Sequence, residues 1–304
     1  MLRSFKEILE AAQEGDAKKL VVSFVEKRDM DLLGKAAGAG LIIPCMVGDG
    51  KAIETMIRGT LLASLEYEII DEKDPGRVLN RAIRLIREGH ADIFMQGNVA
   101  HQAFIDAILD AKNGLRKRKL VSYISLFQLP KQEKLILVTD TFINNNPTID
   151  EKQLILENAL RLADILGIDT PKVAALAAIE QINLRIPSTL DAAILSKMSE
   201  RKQFGKAIVE GPLDIDCALS QIAAARKGLQ SVVTGNVDIY LVPEIDTGHL
   251  LAESLVFFGK MQMAGAIMGA SHPVILNLPF VSDESRMAEI ALAALICRKG
   301  GNDA

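Results

Sequence analysis

The sequence predicts an α/β fold built from two αβα lobes. Short apolar runs of strand length alternate with longer amphipathic stretches along most of the 304 residues. This alternation is typical of a mostly parallel sheet with helices on both faces. Near the middle of the chain, two apolar runs are separated by a link too short for a crossover helix. This predicts an antiparallel hairpin and a seam between two lobes.

The N-terminal half begins with a helix whose start is marked by a capping box. Ser4 is followed three residues later by Glu7, and the helix is expected to end near Gly15. Strands and helices then alternate. We predict strands at 20–25, 41–47, 66–70 and 91–95, and helices at 29–39, 52–63 and 77–88.

The hairpin is predicted from the runs 120–129 and 134–138, which residues 130–133 connect. After it, Asp150 and Gln153 are expected to cap a long helix that ends at Gly167. The remaining predicted strands are 172–177, 207–210, 237–242, 264–268 and 274–277, and the remaining helices are 189–202, 213–227, one ending at 258, and 282–298.

Composition excludes several classes of protein. Lysine and arginine number 35 against 39 aspartate and glutamate, so the formal net charge is −4. This balance gives no general attraction to nucleic acid or to an anionic membrane surface. No apolar run reaches the ~18 residues of a transmembrane helix, and the first residues lack the apolar segment of a signal peptide. We therefore expect a cytoplasmic protein that binds neither nucleic acid nor membrane.

Cysteines and histidines are too few and too scattered to predict a metal site. Cys45, Cys217 and Cys297 cannot form a thiolate zinc site, and the four histidines lack ligand spacing. Asp216 precedes Cys217, and a neighbouring carboxylate raises a thiol pKa, which argues against a nucleophilic cysteine. We expect no metal.

Four strand–helix junctions carry residues suited to ligand binding. In open α/β sheets, ligands bind where the carboxyl ends of strands lead into helix N-termini. Glycine lets a ligand approach the backbone closely, and proline fits the first position of a helix. The same residues are common in ordinary turns, so each junction alone has a purely structural alternative. The junctions are residues 95–98, 210–214, 242–249 and 277–283.

Common cofactor motifs are missing. The sequence has no glycine-rich dinucleotide motif, no phosphate-binding loop ending in Gly-Lys-Ser/Thr, and no Gly-x-Ser-x-Gly elbow. One basic cluster stands out, with Lys112, Arg116, Lys117, Arg118 and Lys119 within eight residues. Such a cluster is either a solvated turn or a docking surface for a phosphorylated ligand.

Eight segments, taken in order, carry a family resemblance. They are ADIFMQG (91–97), NGLR (113–116), LVTD (137–140), PSTLDAA (187–193), SKM (196–198), EGPLDID (210–216), GNVDIYLVP (235–243) and SDESR (282–286). Together they resemble the phosphate acetyl/butyryl transferase family, and most closely its butyryl branch. The similarity runs from about residue 20 to the C-terminus.

The resemblance implies a fold and an activity. It implies two α/β domains flanking an interdomain cleft, like isocitrate and isopropylmalate dehydrogenases, in a homodimer. We accordingly predict a first domain of residues 1–125 with 278–304 and a second of residues 126–277. The family moves an acyl group between coenzyme A and inorganic phosphate. Coenzyme A or acyl-CoA is thus the implied substrate, and no other cofactor is implied.

Aligned with the family pattern, the sequence lacks several basic side chains. Gln96 stands where the family has lysine, and Asp106 stands where it has a phosphate-binding arginine. Leu278 and Pro279 stand where the family has serine and arginine. His249 and Glu253 stand where it has asparagine and lysine. Removing one donor to a developing oxyanion costs roughly 10²–10³-fold in rate. The resemblance therefore implies impaired phosphate transfer and makes phosphate a doubtful substrate.

Other family positions match. They are Asp140, Arg116, Gly97, Ser188, Thr189, Gly211, Pro212 and Asp216. The resemblance implies that they bind acyl-CoA, with Asp140 and Arg116 positioning the reacting groups. Structural alternatives exist, because Asp140 could cap a loop and the Ser188–Thr189 pair could cap a helix.

Three hypotheses follow from these residues. The first is a phosphate acyltransferase for butyryl or another short acyl group. The second is a regulatory protein that binds acyl-CoA without turnover. The third is an acyl-CoA enzyme with a changed nucleophile, in which His249 acts as acid or base, since an unperturbed imidazole has a pKa near ~6.5.

Overall fold

The structure, a computed structural model, describes residues 1–129 and 134–300 and confirms the α/β class. Contacts within the chain divide it into two compact units. We call residues 5–121 with 264–300 the first unit, and residues 1–4 with 122–263 the second unit. Among the described residues, no helix is long and apolar enough to cross a membrane.

The first unit alternates helices and strands, as the apolar pattern predicts. Its elements are α1 (Phe5–Gln13), β1 (Lys18–Ser23), α2 (Lys27–Gly38), β2 (Ile42–Gly48), α3 (Gly50–Ile57), a 3₁₀ turn (Leu61–Ser64), β3 (Glu68–Asp71), α4 (Pro75–Arg87), β4 (Ile93–Gln96) and α5 (His101–Leu109). Two further elements, β11 (Val274–Ile275) and α11 (Asp283–Lys299), come from the C-terminal segment. Its five strands run parallel in the order β11-β4-β1-β2-β3.

The second unit contains the predicted hairpin. Its elements are β5 (Ser122–Gln128), β6 (Leu135–Thr139), α6 (Ile149–Ile165), β7 (Lys172–Leu176), α7 (Pro187–Glu200), β8 (Ile208–Leu213), α8 (Ile215–Leu219), α9 (Gln221–Arg226), β9 (Ile239–Leu241) and α10 (Ile245–Phe257). Within this unit the strand order is β5-β6-β9-β7-β8, and β10 (Met263–Met268) begins at the boundary between the units. Strands β5 and β6 pair antiparallel, which confirms the hairpin, and the predicted link 130–133 lies outside the described residues.

One helix, α5, was not predicted from the sequence. It follows Ala100, which makes no side-chain capping hydrogen bond. Its first turn also lacks an acidic residue, so none of the usual start signals precedes it. The helix forms through packing, since Phe104 and Ile105 are buried and the Phe104 ring lies 4.8 Å from that of Phe94.

The predicted start of α6 was wrong by two residues. The cap is Thr148, whose hydroxyl accepts a hydrogen bond from the backbone N–H of Glu151. The Glu151 carboxylate accepts one from the backbone N–H of Thr148 in return. Asp150 therefore lies inside the first turn, where its charge still suits the helix dipole.

The predicted strand 207–210 and helix 213–227 were also wrong in detail. Strand β8 continues through Gly211 and Pro212 to Leu213, so Pro212 is a strand residue and not the first residue of a helix. Two short helices follow. Asp214 caps α8, and the Ser220 hydroxyl caps α9 by accepting from Ala223 N–H at 3.2 Å. Ser220 thus ends one helix and starts the next.

Candidate functional site

The four junctions predicted from the sequence fall into two pairs, one in each unit. In the second unit, residues from junctions 210–214 and 242–249 line one cavity. In the first unit, junctions 95–98 and 277–283 are joined by a hydrogen bond from the backbone N–H of Asn277 to the side-chain oxygen of Gln96, at 3.1 Å. Each pair meets because its strands end at the same edge of a parallel sheet.

The second-unit cavity has a volume of about 570 Å³. It lies past the carboxyl ends of β7 and β9, with Leu176 and Pro243 among its lining residues. Asp214 contributes from the end of β8, and Ser188 from the first turn of α7. Its size is that of a small-molecule site. Ser188, a residue predicted to belong to the site, lines this cavity.

A buried ion pair forms part of the cavity wall. The Lys152 ammonium, on α6, lies 2.7 Å from a carboxylate oxygen of Asp191 on α7. The side chains are 7% and 22% exposed, so water screens the pair weakly. Sequence reasoning missed this lysine, because its partner is 39 residues away and Lys152 itself belongs to no recognisable motif.

Glu244 supplies a third carboxylate to the cavity, after Asp191 and Asp214. It caps α10 by accepting hydrogen bonds from the backbone N–H groups of Asp246 (2.8 Å) and Thr247 (3.0 Å). Burial by itself would raise the pKa of Glu244, but these hydrogen bonds, the Thr247 hydroxyl and the nearby Lys152 charge lower it overall. The carboxylate is therefore held in its ionised form.

In the first unit, Gln96 links two loops. Its side-chain oxygen accepts from Asn277 N–H, and its nitrogen donates to the Val99 carbonyl at 3.0 Å. The residue is 2% exposed. A lysine has no acceptor atom, so at this position it would leave the Asn277 N–H without its present partner. The Gln96 side chain thus has a structural role here.

Gly97 lies where two backbone segments nearly touch. A Cβ atom at this position would collide with the Ser23 carbonyl oxygen and lie 2.6 Å from that of Phe24. The next residue, Asn98, donates its N–H to Phe24 O at 2.8 Å. The sequence predicted that a ligand approaches the backbone at Gly97, but in the structure the segment that approaches it closely is the loop after β1.

Asp140 is buried at the end of β6. One carboxylate oxygen accepts from the backbone N–H groups of Tyr123 (3.3 Å), Phe142 (3.0 Å) and Ile143 (3.2 Å). The other accepts from the backbone N–H and the side-chain amide of Asn144. Burial raises the pKa of Asp140, and these hydrogen bonds oppose the rise. The arrangement matches the loop-capping alternative.

His249 lies on α10 with its side chain about half exposed. Its Nε2 is 3.2 Å from a carboxylate oxygen of Glu253, one turn further along. The imidazole ring also packs edge-on against Phe142, with centroids 4.9 Å apart. An acid or base role for His249 stays a prediction, and Glu253 is its nearest carboxylate partner.

Thr189 and Gly211 are held by local packing. Helix α7 starts at Pro187 after the cap residue Ile186, and the Thr189 hydroxyl donates back to Ile186 O at 2.8 Å. A Cβ at Gly211 would lie 2.8 Å from the Ala175 carbonyl on β7. Glycine is required there because β8 packs tightly between that strand and α7.

Asp216 belongs to a charge network on the second unit. The Lys227 ammonium contacts Glu180 at 2.7 Å, Asp216 at 2.8 Å and Asp214 at 3.5 Å. Burial raises the pKa of Cys217 to about 12, and hydrogen bonds to Glu180 and Asp216 add to the rise. The expected direction for this thiol is confirmed, and at neutral pH it is protonated.

The basic cluster on the first unit is exposed along most of its length. Arg116 donates from Nε to the Arg118 carbonyl at 3.2 Å. The backbone N–H groups of Lys117 and Arg118 donate to Gly269 O, which fixes the segment against the end of β10. The cluster is thus an anchored, solvated surface.

Three other positions at which the sequence predicts a lost basic or polar side chain differ in burial. Asp106 is exposed on α5 and accepts a hydrogen bond from the Gln102 amide at 2.8 Å. Leu278 is buried, with 7% of its surface exposed, and Pro279 is exposed. A basic side chain is therefore sterically compatible with positions 106 and 279.

Solved structures define the class of protein. A branched-chain phosphotransacylase from Enterococcus faecalis V583 matches with a TM-score of 0.78 and 28% identity, covering 91% of this chain and 98% of that chain. A phosphotransacetylase from Streptococcus pyogenes, 20% identical, matches in fold with a TM-score of 0.80 over 96% of this chain and 99% of its own. The fold is that of the phosphotransacylases.

Sequence comparison then gives the family. The model described as "Phosphate acetyl/butaryl transferase" matches residues 77–294. The phosphate butyryltransferase of Clostridium acetobutylicum is 35% identical over 297 residues, which is 97% of this chain and 99% of that protein. The chain belongs to the phosphate acetyl/butyryl transferase family, as its motifs predict.

Proposed function

We propose that this protein transfers a butyryl or similar short acyl group between coenzyme A and inorganic phosphate. The observation that carries the proposal is the 35% identity to a phosphate butyryltransferase along 97% of the chain. Family membership is at odds with the doubt about phosphate raised from the sequence, so phosphate is the acyl acceptor in this proposal. No comparison favours a regulatory or changed-nucleophile role.

The reaction needs a site that accepts negative charge. A phosphate oxygen attacks the thioester carbonyl carbon, a C–O bond forms, the C–S bond breaks, and the thiolate leaves and takes a proton. Positive side chains and N–H donors stabilise the oxyanion that develops. The second-unit cavity supports the proposal by its small-molecule size, and not by its charge, because the Lys152 ammonium is already paired with Asp191 and the carboxylates of Asp214 and Glu244 also line it.

Further parts of the proposal come from the family resemblance. We propose coenzyme A as a substrate, no additional cofactor, and a cytoplasmic homodimer. Exposed apolar side chains of the second unit support self-association; among them are Ile182, Leu184, Ile222, Val232, Leu250 and Phe258. The domain boundaries and the dehydrogenase-like arrangement stay predictions.

A thioester assay tests the activity. Butyryl-CoA is incubated with the protein with and without phosphate, and the loss of thioester absorbance is followed. Absorbance is preferable to a thiol reagent because the protein has three free cysteines, of which Cys297 is only partly buried. We expect loss of thioester that depends on phosphate and yields butyryl phosphate. Absence of loss, or loss independent of phosphate, would contradict the proposal.

Restoring a basic side chain tests the alignment of the phosphate site. Asp106→Arg is expected to raise kcat/KM for phosphate about tenfold, since a hydrogen bond to a charged group contributes roughly 1.5–3 kcal/mol. Asp31→Arg is the matched control, because Asp31 is also an exposed helix carboxylate of the first unit and gives the same change in charge. An equal gain in both variants would mean that long-range attraction, and not a local contact, causes the effect.

A further inference from the structure

An arginine-lined groove on the first unit is not used by the proposed function. It encloses about 490 Å³ between α4 and the loop that follows α5. Helix α4 contributes Arg77, Arg81, Arg84 and Arg87 together with Asn80, and Asn113 and Glu72 complete the polar lining. None of the residues predicted for the family site lines it.

The sequence of α4 places these arginines on one face. Positions 77, 81 and 84 are spaced by four and three residues, which on a helix form a single stripe. The opposite face carries the apolar side chains Val78, Ala82 and Ile86, all buried. The helix is thus held against the sheet by one side while the arginine stripe faces the groove.

The groove has an excess of positive charge. Glu72 is the one acidic residue among its lining residues in the described part of the chain, against four arginines. Arg77 is bonded to Asp74 at 3.1 Å, and Arg84 lies 3.8 Å from Glu88. Among the described residues, Arg81 and Arg87 form no ion pair. Two guanidinium groups therefore remain available to an anion.

We propose that this groove binds a small molecule carrying adjacent phosphate groups, of the size of a nucleoside diphosphate. Guanidinium groups bind phosphate oxygens through paired N–H donors, and a row of them suits a pyrophosphate better than a single phosphate. The volume fits a nucleotide. The amides of Asn80 and Asn113 can both donate to and accept from the ligand's hydroxyl or base groups.

Calorimetric titration of the full chain tests the proposal. ADP, inorganic pyrophosphate, AMP and coenzyme A are each titrated at low and at high salt. We expect ADP and pyrophosphate to bind, AMP to bind about tenfold more weakly, and added salt to weaken all of them. Arg81→Gln combined with Arg87→Gln is expected to weaken ADP and pyrophosphate binding about tenfold or more.

The matched control combines Arg58→Gln with Arg201→Gln, two exposed arginines outside the groove that give the same change in charge. It should bind like the parent protein. If coenzyme A alone binds and the groove variant loses that binding, the phosphates of coenzyme A are the source of the recognised group. If no titrant binds, or if groove and control variants behave alike, the proposal is wrong. Since the readout is binding, it is independent of whether the acyl transfer assay succeeds.

Discussion

Asp140→Ala is expected to lower the free energy of unfolding by about 3–5 kcal/mol. Each buried donor that loses its acceptor costs about 1–3 kcal/mol, and this carboxylate accepts from the backbone N–H groups of Tyr123, Phe142, Ile143 and Asn144. These costs are not additive, because the loop after β6 will partly rearrange. The urea midpoint at constant pH measures the loss.

A graded series separates a loop-capping role from a direct catalytic one. In Asp140→Asn the remaining side-chain oxygen can still accept from the N–H groups of Phe142 and Ile143. The new amide nitrogen, however, would face the two N–H donors of Asn144 and could not accept from them. This variant should therefore lose less stability than the alanine variant. Asp169→Ala, which removes an exposed carboxylate of the same unit, should change little. If Asp140→Asn keeps full stability and loses only acyl transfer, the loop-capping role would be wrong.

Apolar periodicity predicted most of the fold because strands and helices differ in how often they turn a side chain inward. Strands β1, β2 and β4 were predicted for this reason. Helix α5 escaped because its start carries no polar cap, and only the burial of Phe104 and Ile105 shows why it forms. The sequence also could not decide which residue caps α6, because Thr148 and Asp150 are both acceptable N-caps. Only the backbone geometry selects Thr148.

The site was less predictable than the fold, because its contacts join distant parts of the chain. The motif containing Gln96 was recognised, but its bond to Asn277 spans 181 residues. Lys152 and Asp191 belong to different helices, and no pattern within either helix indicates that they pair. Sequence motifs identify which residues are special, and the structure shows whether a residue contacts another part of the chain or faces a cavity.

Gly97→Ala is expected to destabilise the first unit by about 3 kcal/mol and to abolish any activity that depends on the loop after β4. Overpacking normally costs about 1–3 kcal/mol, because neighbouring side chains adjust. Here the obstacles are backbone carbonyls of Ser23 and Phe24, which cannot rotate away. To fit a methyl group the loop must move, and the hydrogen bond from Asn98 N–H to Phe24 O, 2.8 Å long, would break.

Gly48→Ala provides the matched control at the end of β2, another strand of the same sheet. A Cβ at Gly48 would meet only the Ile53 Cδ1 atom at 3.4 Å, an ordinary contact, so this variant should keep its urea midpoint. Equal losses in the two variants would show that any substitution at this edge of the sheet is harmful and would contradict the steric argument. A large loss at Gly97 alone means that the glycine of the family motif is needed for the approach of two backbone segments. Ligand binding would then depend on that glycine indirectly, through the loop position that Gln96 also holds.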